Sequence, residues 1–346
     1  MSTSLTQRRT AVPVTVLLVV LLAAVVLAIG LGPAPVAPAD TARYLWAALT
    51  GGRIPASELS QYQIIWQVRT PRVLLAALVG AALSLVGVAI QAMVRNALAD
   101  PFVLGISSGA SVGAVTVSVS GGLAAFGVHA VSAGAFLGAL GASALVYAVS
   151  GSASPLRLVL TGVALALGFQ AVLSVIIYLV PDGEATATVL YWTMGGVGGA
   201  TWGSLPVLAV VFVLAYGLLH RRSRSLDVLS LGDETAAGLG VDGVVLRRIL
   251  YVLTAVLTGA AVAVSGAVGF VGLVIPHLVR LLAGSGHARV LAIAPPLGAV
   301  FLVCADLVSR TLVAPRELPL GVVTALVGVP VFVFLLRRRG YLFGGR

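Results

Sequence analysis

Few residues in this chain could do chemistry. Its 21 basic residues are all arginine, set against 11 acidic residues, 4 histidines and a single cysteine. Without lysine there is no Walker-type phosphate loop, no Schiff-base cofactor and no lysine general base. Cys304 stands alone in an apolar run, which excludes an intrachain disulfide and a cysteine metal cluster. His129, His220, His277 and His287 are far apart and lack the i,i+4 spacing of helical metal ligands. Neither a metal or haem site nor a nucleophile–base pair is legible. Two polar groups remain: the acidic pair Asp233 and Glu234, and the arginines Arg69, Arg72 and Arg310 near Asp306.

These groups sit in a chain built for lipid. Of 346 residues, 59% are apolar and 9% charged, where a soluble domain carries about 25% charged residues. A soluble protein of this length could not cover so much apolar surface. Apolar runs recur at roughly 13–32, 73–94, 101–119, 122–149, 156–180, 202–220, 248–267, 270–284, 290–313 and 318–336. Each approaches the length that a bilayer core of about 30 Å requires. The runs lack period-2 alternation, so an all-α integral membrane protein of about ten transmembrane helices is expected, not a barrel. The uncharged stretch 249–279 would make a helix of about 46 Å, too long for one span. Gly266, Gly269, Gly272 and Pro276 are the candidate breakers. The first run is longer than a signal-peptide core, so a retained first helix is expected.

Arginine placement sets the orientation. With both termini cytoplasmic, fifteen arginines fall inside, among them Arg95, Arg221, Arg222, Arg224, Arg247, Arg248, Arg280 and Arg289. Six fall outside: Arg43, Arg53, Arg69, Arg72, Arg310 and Arg316. The positive-inside rule favours this orientation. The net charge of +10 therefore reads as topology charge and not as a nucleic-acid surface. No segment is large enough for a separate soluble domain, so residues 1–346 read as one membrane domain with its largest inner loop at 221–247.

In that loop, Ser230 and Asp233 could form a capping box, with Asp233 and Glu234 in the first turn of a short helix ended by Gly238 and Gly240. Such a helix could be a rigid handle for a motor on another chain, or a solvated turn. At the outer face, Asp306 and Arg310 have the i,i+4 spacing of an ion pair. They could simply neutralise each other while Arg69 and Arg72 snorkel. Alternatively, the arginines could meet the carboxylates of a delivered partner. Gly105, Gly109 and Gly113 on one span, and Gly134, Gly138 and Gly141 on the next, read as close helix-packing faces. Mid-span carboxylates and histidines of the kind that relay protons are almost absent, which argues for an external energy source.

Several stretches together resemble one family. They are Arg69 to Arg72, Gly80 to Gln91, Arg95 to Pro101 with Leu104, Gly105, Gly109 and Ala110, and Tyr191 to Gly196. Leu231 to Gly240, Gly269 to Arg280, Asp306 with Arg310, and Glu317 to Gly321 running into Gly328 to Pro330 complete the set. In this order, over residues 69–332, the chain resembles the FecCD-type permeases of iron-chelate and cobalamin ABC importers. Ala97 departs from the proline common at that motif position.

The resemblance implies a type II ABC importer permease architecture and a function in transport, without an ATPase site of its own. It implies cytoplasmic ATP-binding subunits carrying ATP-Mg, an extracytoplasmic substrate-binding protein, and a second permease copy or paralogue in the cytoplasmic membrane. Leu231, Gly232, Asp233, Glu234, Ala236, Leu239 and Gly240 would couple to the ATPase. Arg69, Arg72 and Arg310 would dock the binding protein. Gln170 and Ser174, with Ser107 and Ser108, would line the pathway, and Ser154, Pro155 and Leu156 would lie at its inner gate. The expected cargo is a ferric siderophore, with haem or cobalamin as alternatives. An ion-coupled transporter is the competing class.

Overall fold

The computed structural model describes residues 2–32, 36–151, 154–180, 186, 189–190 and 192–338. Fourteen α-helices lie among them. They are α1 (Ser2–Gly30), α2 (Pro38–Thr50), α3 (Leu59–Gln63), α4 (Thr70–Val94), α5 (Ile106–Ser120), α6 (Ala130–Ser150) and α7 (Pro155–Leu179). Then come α8 (Leu205–Arg221), α9 (Ser223–Ser230), α10 (Asp233–Gly238), α11 (Gly243–Ser265), α12 (Val271–Ala283), α13 (His287–Thr311) and α14 (Leu320–Arg338). Ten of these correspond one to one with the ten apolar runs. Among the described residues, seven stretches are long and apolar enough to span a membrane, and the apolar helices at Ile106–Ser120, Val271–Ala283 and Leu320–Phe334 are shorter.

The long uncharged stretch breaks where glycine allows it. Gly266 adopts φ 61° and ψ −162°, a conformation closed to side-chain-bearing residues. Phe270 follows in the left-handed region. Gly272 and Pro276, expected as breakers, instead lie inside α12. Because its chain restarts at Val271, α12 is short.

The fold is organised around α4. About 83% of its apolar window is buried, against 11% for that of α1 or α7. Small residues make this possible. A Cβ on Gly80 would collide with the Gly298 carbonyl of α13, and one on Gly87 with the Gly272 carbonyl of α12. Backbone-to-backbone approach of this kind is what holds helices together in lipid, where burial of apolar surface gives no net drive. The glycine faces of α5 and α6 meet only in part. Gly109 and Gly113 pack against Gly134 and Gly138, Gly141 faces open space, and Gly105 turns the chain beside Gly162 of α7.

Candidate functional site: an anchored inner protrusion and a buried outer ion cluster

On the inner side, α9 and α10 project from the ends of α8 and α11. Leu226 and Leu229 bury one face of α9 completely. Its Asp227 accepts from both the backbone N–H of His287 (2.8 Å) and the ring Nδ1 (2.7 Å), tying α9 to the start of α13. A ring carrying its proton on Nδ1 satisfies this geometry.

Gly232, at φ 111°, turns the chain into α10. Asp233 in the first turn accepts from Arg247 of α11 at 2.6 Å and faces Arg95 at 3.7 Å. The hydrogen bond from Arg247 holds the Asp233 carboxyl below the usual range. Ala236 is the buried pivot of the short helix, whereas Leu231 (64% exposed) and Leu239 (60% exposed) point away from the chain. Glu234 is exposed and makes no ion pair among the described residues. Helix α10 ends at Gly238, and Gly240 follows in the left-handed region. The capping box does not form. Ser230 donates instead to the Asp227 carbonyl (2.6 Å), because it closes α9 and so cannot open α10. Arg95, Asp227, Arg247 and His287, which fix the protrusion, escape sequence reading because each lies 14 or more residues from its partner or on another helix. The acids of an otherwise basic loop, Asp227, Asp233, Glu234 and Asp242, were the available signal.

At the outer ends of α1, α4 and α13, Arg69, Arg72 and Arg310 do come together, but not as surface cations. They are only 5%, 7% and 2% exposed. Arg72 donates from Nε to Asp306 (2.9 Å) and grips both oxygens of Glu317, at 2.8 and 3.0 Å. Arg69 donates to the carbonyls of Ile29 (3.2 Å) and Gly30 (2.8 Å), and Arg310 donates to that of Ala28. Two guanidinium groups thus satisfy the orphan carbonyls that end α1, where the helix dipole favours positive charge. Arg310 also faces Asp306 at 3.4 Å, the i,i+4 contact expected. Burial in a lipid-embedded fold demands internal partners, and all three arginines have them. Glu317, whose side chain is 31% exposed, is the member nearest solvent and was missed as a partner of Arg72.

The remaining candidates scatter. Gln170 and Ser174 share an exposed face of α7, with Ser174 donating to the Gln170 carbonyl at 3.0 Å. Ser107 is buried at the start of α5. Ser108 donates to the Gly105 carbonyl. Ser154 and Pro155 begin α7 half-buried, and Leu156 is exposed. Tyr191 and residues 152–153 lie outside the described residues. A cavity of about 810 Å3 opens elsewhere, bounded by Asp100, Phe102, Thr193, Phe270 and the Val322–Pro330 face of α14. Neither Gln170 nor Ser174 reaches it.

Among the described residues, ten apolar helices, seven of them long enough to cross a membrane, with glycine-mediated contacts and an anchored protrusion, define a multi-pass membrane protein. Comparison with known proteins makes this specific. The chain belongs to the FecCD transport family, which matches residues 19–338. It is 42% identical over 305 residues to the uncharacterized ABC transporter permease protein YvrB of Bacillus subtilis (strain 168), covering 86% of this chain and 85% of that one. It is 41% identical over 280 residues to the hemin transport system permease protein HmuU of Yersinia pestis, covering 80% and 84%. The Fe(3+)-citrate import system permease protein YfmD of B. subtilis is 39% identical over 277 residues, covering 80% and 81%. Among solved structures, an inward-facing metal-chelate type ABC transporter matches with a TM-score of 0.83 at 32% identity, covering 94% of this chain and 99% of that one.

Proposed function

We propose that this chain is the membrane-spanning subunit of an ATP-driven importer that carries an iron chelate inward, most specifically a ferric siderophore. The observation that carries the proposal is the inner protrusion: anchored at Asp227 and Asp233, exposed at Leu231, Glu234 and Leu239, and attached to a chain with no lysine for a phosphate loop. A separate ATP-Mg-binding subunit grips this handle. Closure of the nucleotide sites then moves α9 and α10, and with them α11 and α13. Relatives named for Fe(3+)-citrate, hydroxamate and achromobactin transport support the iron-chelate reading.

An extracytoplasmic binding protein docks over the outer cluster. Its carboxylates reach Arg72 by displacing Glu317, while Arg69 and Arg310 keep hold of α1. A second copy or paralogue covers the exposed apolar face of α7, and the cargo passes between the two by way of Gln170, Ser174 and the 810 Å3 cavity.

The test is reconstitution of the chain with its ATPase subunits and binding protein in proteoliposomes. Ferric siderophore uptake that requires ATP is the expected result. Haem or cobalamin taken up in its place would move the cargo assignment within the class. Uptake that persists without ATP and collapses with the proton gradient would refute the reading. In the Glu234→Arg variant, binding-protein-stimulated ATP hydrolysis should no longer drive uptake.

A further inference from the structure

An apolar groove of about 430 Å3 runs between α1, α12 and α13. Pro13 and Leu17 of α1, Val279 and Leu282 of α12, and Ile293 of α13 line it, and Arg289 stands at one end. From Arg289 to Leu297, the far end on α13, is eight residues, or about 12 Å of helix rise. That is a little under one leaflet of a hydrocarbon core of about 30 Å. Arg289 lies in the first turn of α13, at the cytoplasmic membrane surface in the orientation that the arginines set. Leu282 is 78% exposed, so the groove opens sideways toward lipid and not into the bundle.

The Arg289 side chain is incompletely satisfied. It donates from one terminal nitrogen to the carbonyl of Ala283 at the end of α12. Its Nε–H is buried with no hydrogen-bond partner among the described residues. A buried donor left unmet is costly, and a guanidinium pairs best with the oxygens of a phosphate or carboxylate. The groove residues offer neither, since all the others are apolar. An apolar channel of one-leaflet depth under an unmet guanidinium fits one kind of molecule. We propose that this groove binds an anionic phospholipid of the cytoplasmic leaflet, with an acyl chain along α13 and the phosphodiester on Arg289. Bound lipid would brace the first turn of α13. His287, two residues away in the same turn, holds Asp227 of the inner protrusion, so lipid occupancy bears directly on how firmly the handle is anchored.

The full chain is purified from nanodiscs of phosphatidylcholine containing a minority of phosphatidylglycerol, and the retained lipid is counted per chain by mass spectrometry. Wild type should retain phosphatidylglycerol in preference to phosphatidylcholine. Arg289→Gln should lower that retention on the order of fivefold, and Leu282→Trp, which fills the groove but keeps the arginine, should lower it similarly. Arg221→Gln, at an exposed arginine elsewhere on the inner face, should leave it unchanged. Equal retention in wild type and Arg289→Gln would overturn the proposal, as would an equal loss in Arg221→Gln. Inorganic phosphate that displaces the lipid while Leu282→Trp has no effect would mark a free-anion site, and would overturn it too.

Discussion

Removing Arg72 should destabilise the protein far more than removing a surface cation would. Its guanidinium makes three charged hydrogen bonds, one to Asp306 and two to Glu317. The Asp306 side chain is only 1% exposed, and its one other cation among the described residues, Arg310, is 3.4 Å away without hydrogen-bond geometry. In Arg72→Met the Asp306 carboxylate is therefore stranded. Breaking a buried pair from one side costs about 3–5 kcal/mol. Glu317 can still rehydrate, so Glu317→Gln should cost only about 1 kcal/mol. At about 2 °C per kcal/mol for a large chain, the midpoint of thermal unfolding in detergent should fall by about 6–10 °C for Arg72→Met and by about 2 °C for Glu317→Gln. The double variant Arg72→Met/Asp306→Leu removes both charges and should recover most of the loss, because an apolar pair of similar volume replaces a buried ion pair at little or no cost. Fluorescence-detected size exclusion after heating reads all of these variants. An Arg72→Met protein as stable as wild type, or a double variant no better than the single, would refute the buried-cluster account and return Arg72 to the role of an open docking cation.

Three further outcomes follow from the same geometry. Arg247→Met should free Asp233 and loosen α10, lowering binding-protein-stimulated ATP hydrolysis in the reconstituted complex severalfold while membrane insertion and dimensions by size exclusion stay normal. The hydrogen bond from Arg247 lowers the folded pKa of Asp233, so this anchor of α10 is fully present above the unfolded carboxylate pKa and is lost as pH falls through the folded one. Thermal unfolding followed as pH drops below about 4 should show this loss in wild type and a smaller one in Asp233→Asn. Gly298→Val should reduce expression and thermal stability sharply, by about 1–3 kcal/mol or more of overpacking, because Ser84 and the Gly80 carbonyl occupy the space a side chain would need. Gly141→Val, facing open space, should be silent in the same assay.

Much of this protein could be read without coordinates. The ten apolar helices followed from run length and the thickness of a bilayer, and the expected orientation from where arginines cluster, because lipid excludes charge and leaves backbone groups to pair along the helix. The absence of lysine left no residue for a Walker-type phosphate loop. The short helix beginning at Asp233 and Glu234 was legible because its signals, acids in the first turn and glycines at the end, are local. The interior was not. That Arg69 and Arg310 cap α1, that Arg72 belongs to Glu317 as well as Asp306, and that Asp227 and Asp233 pin the protrusion to α13 and α11 all depend on residues distant in sequence. A guanidinium near a membrane surface carries the same sequence signal whether it faces solvent or a buried carboxylate, and only the packing of α1, α4 and α13 decides between them.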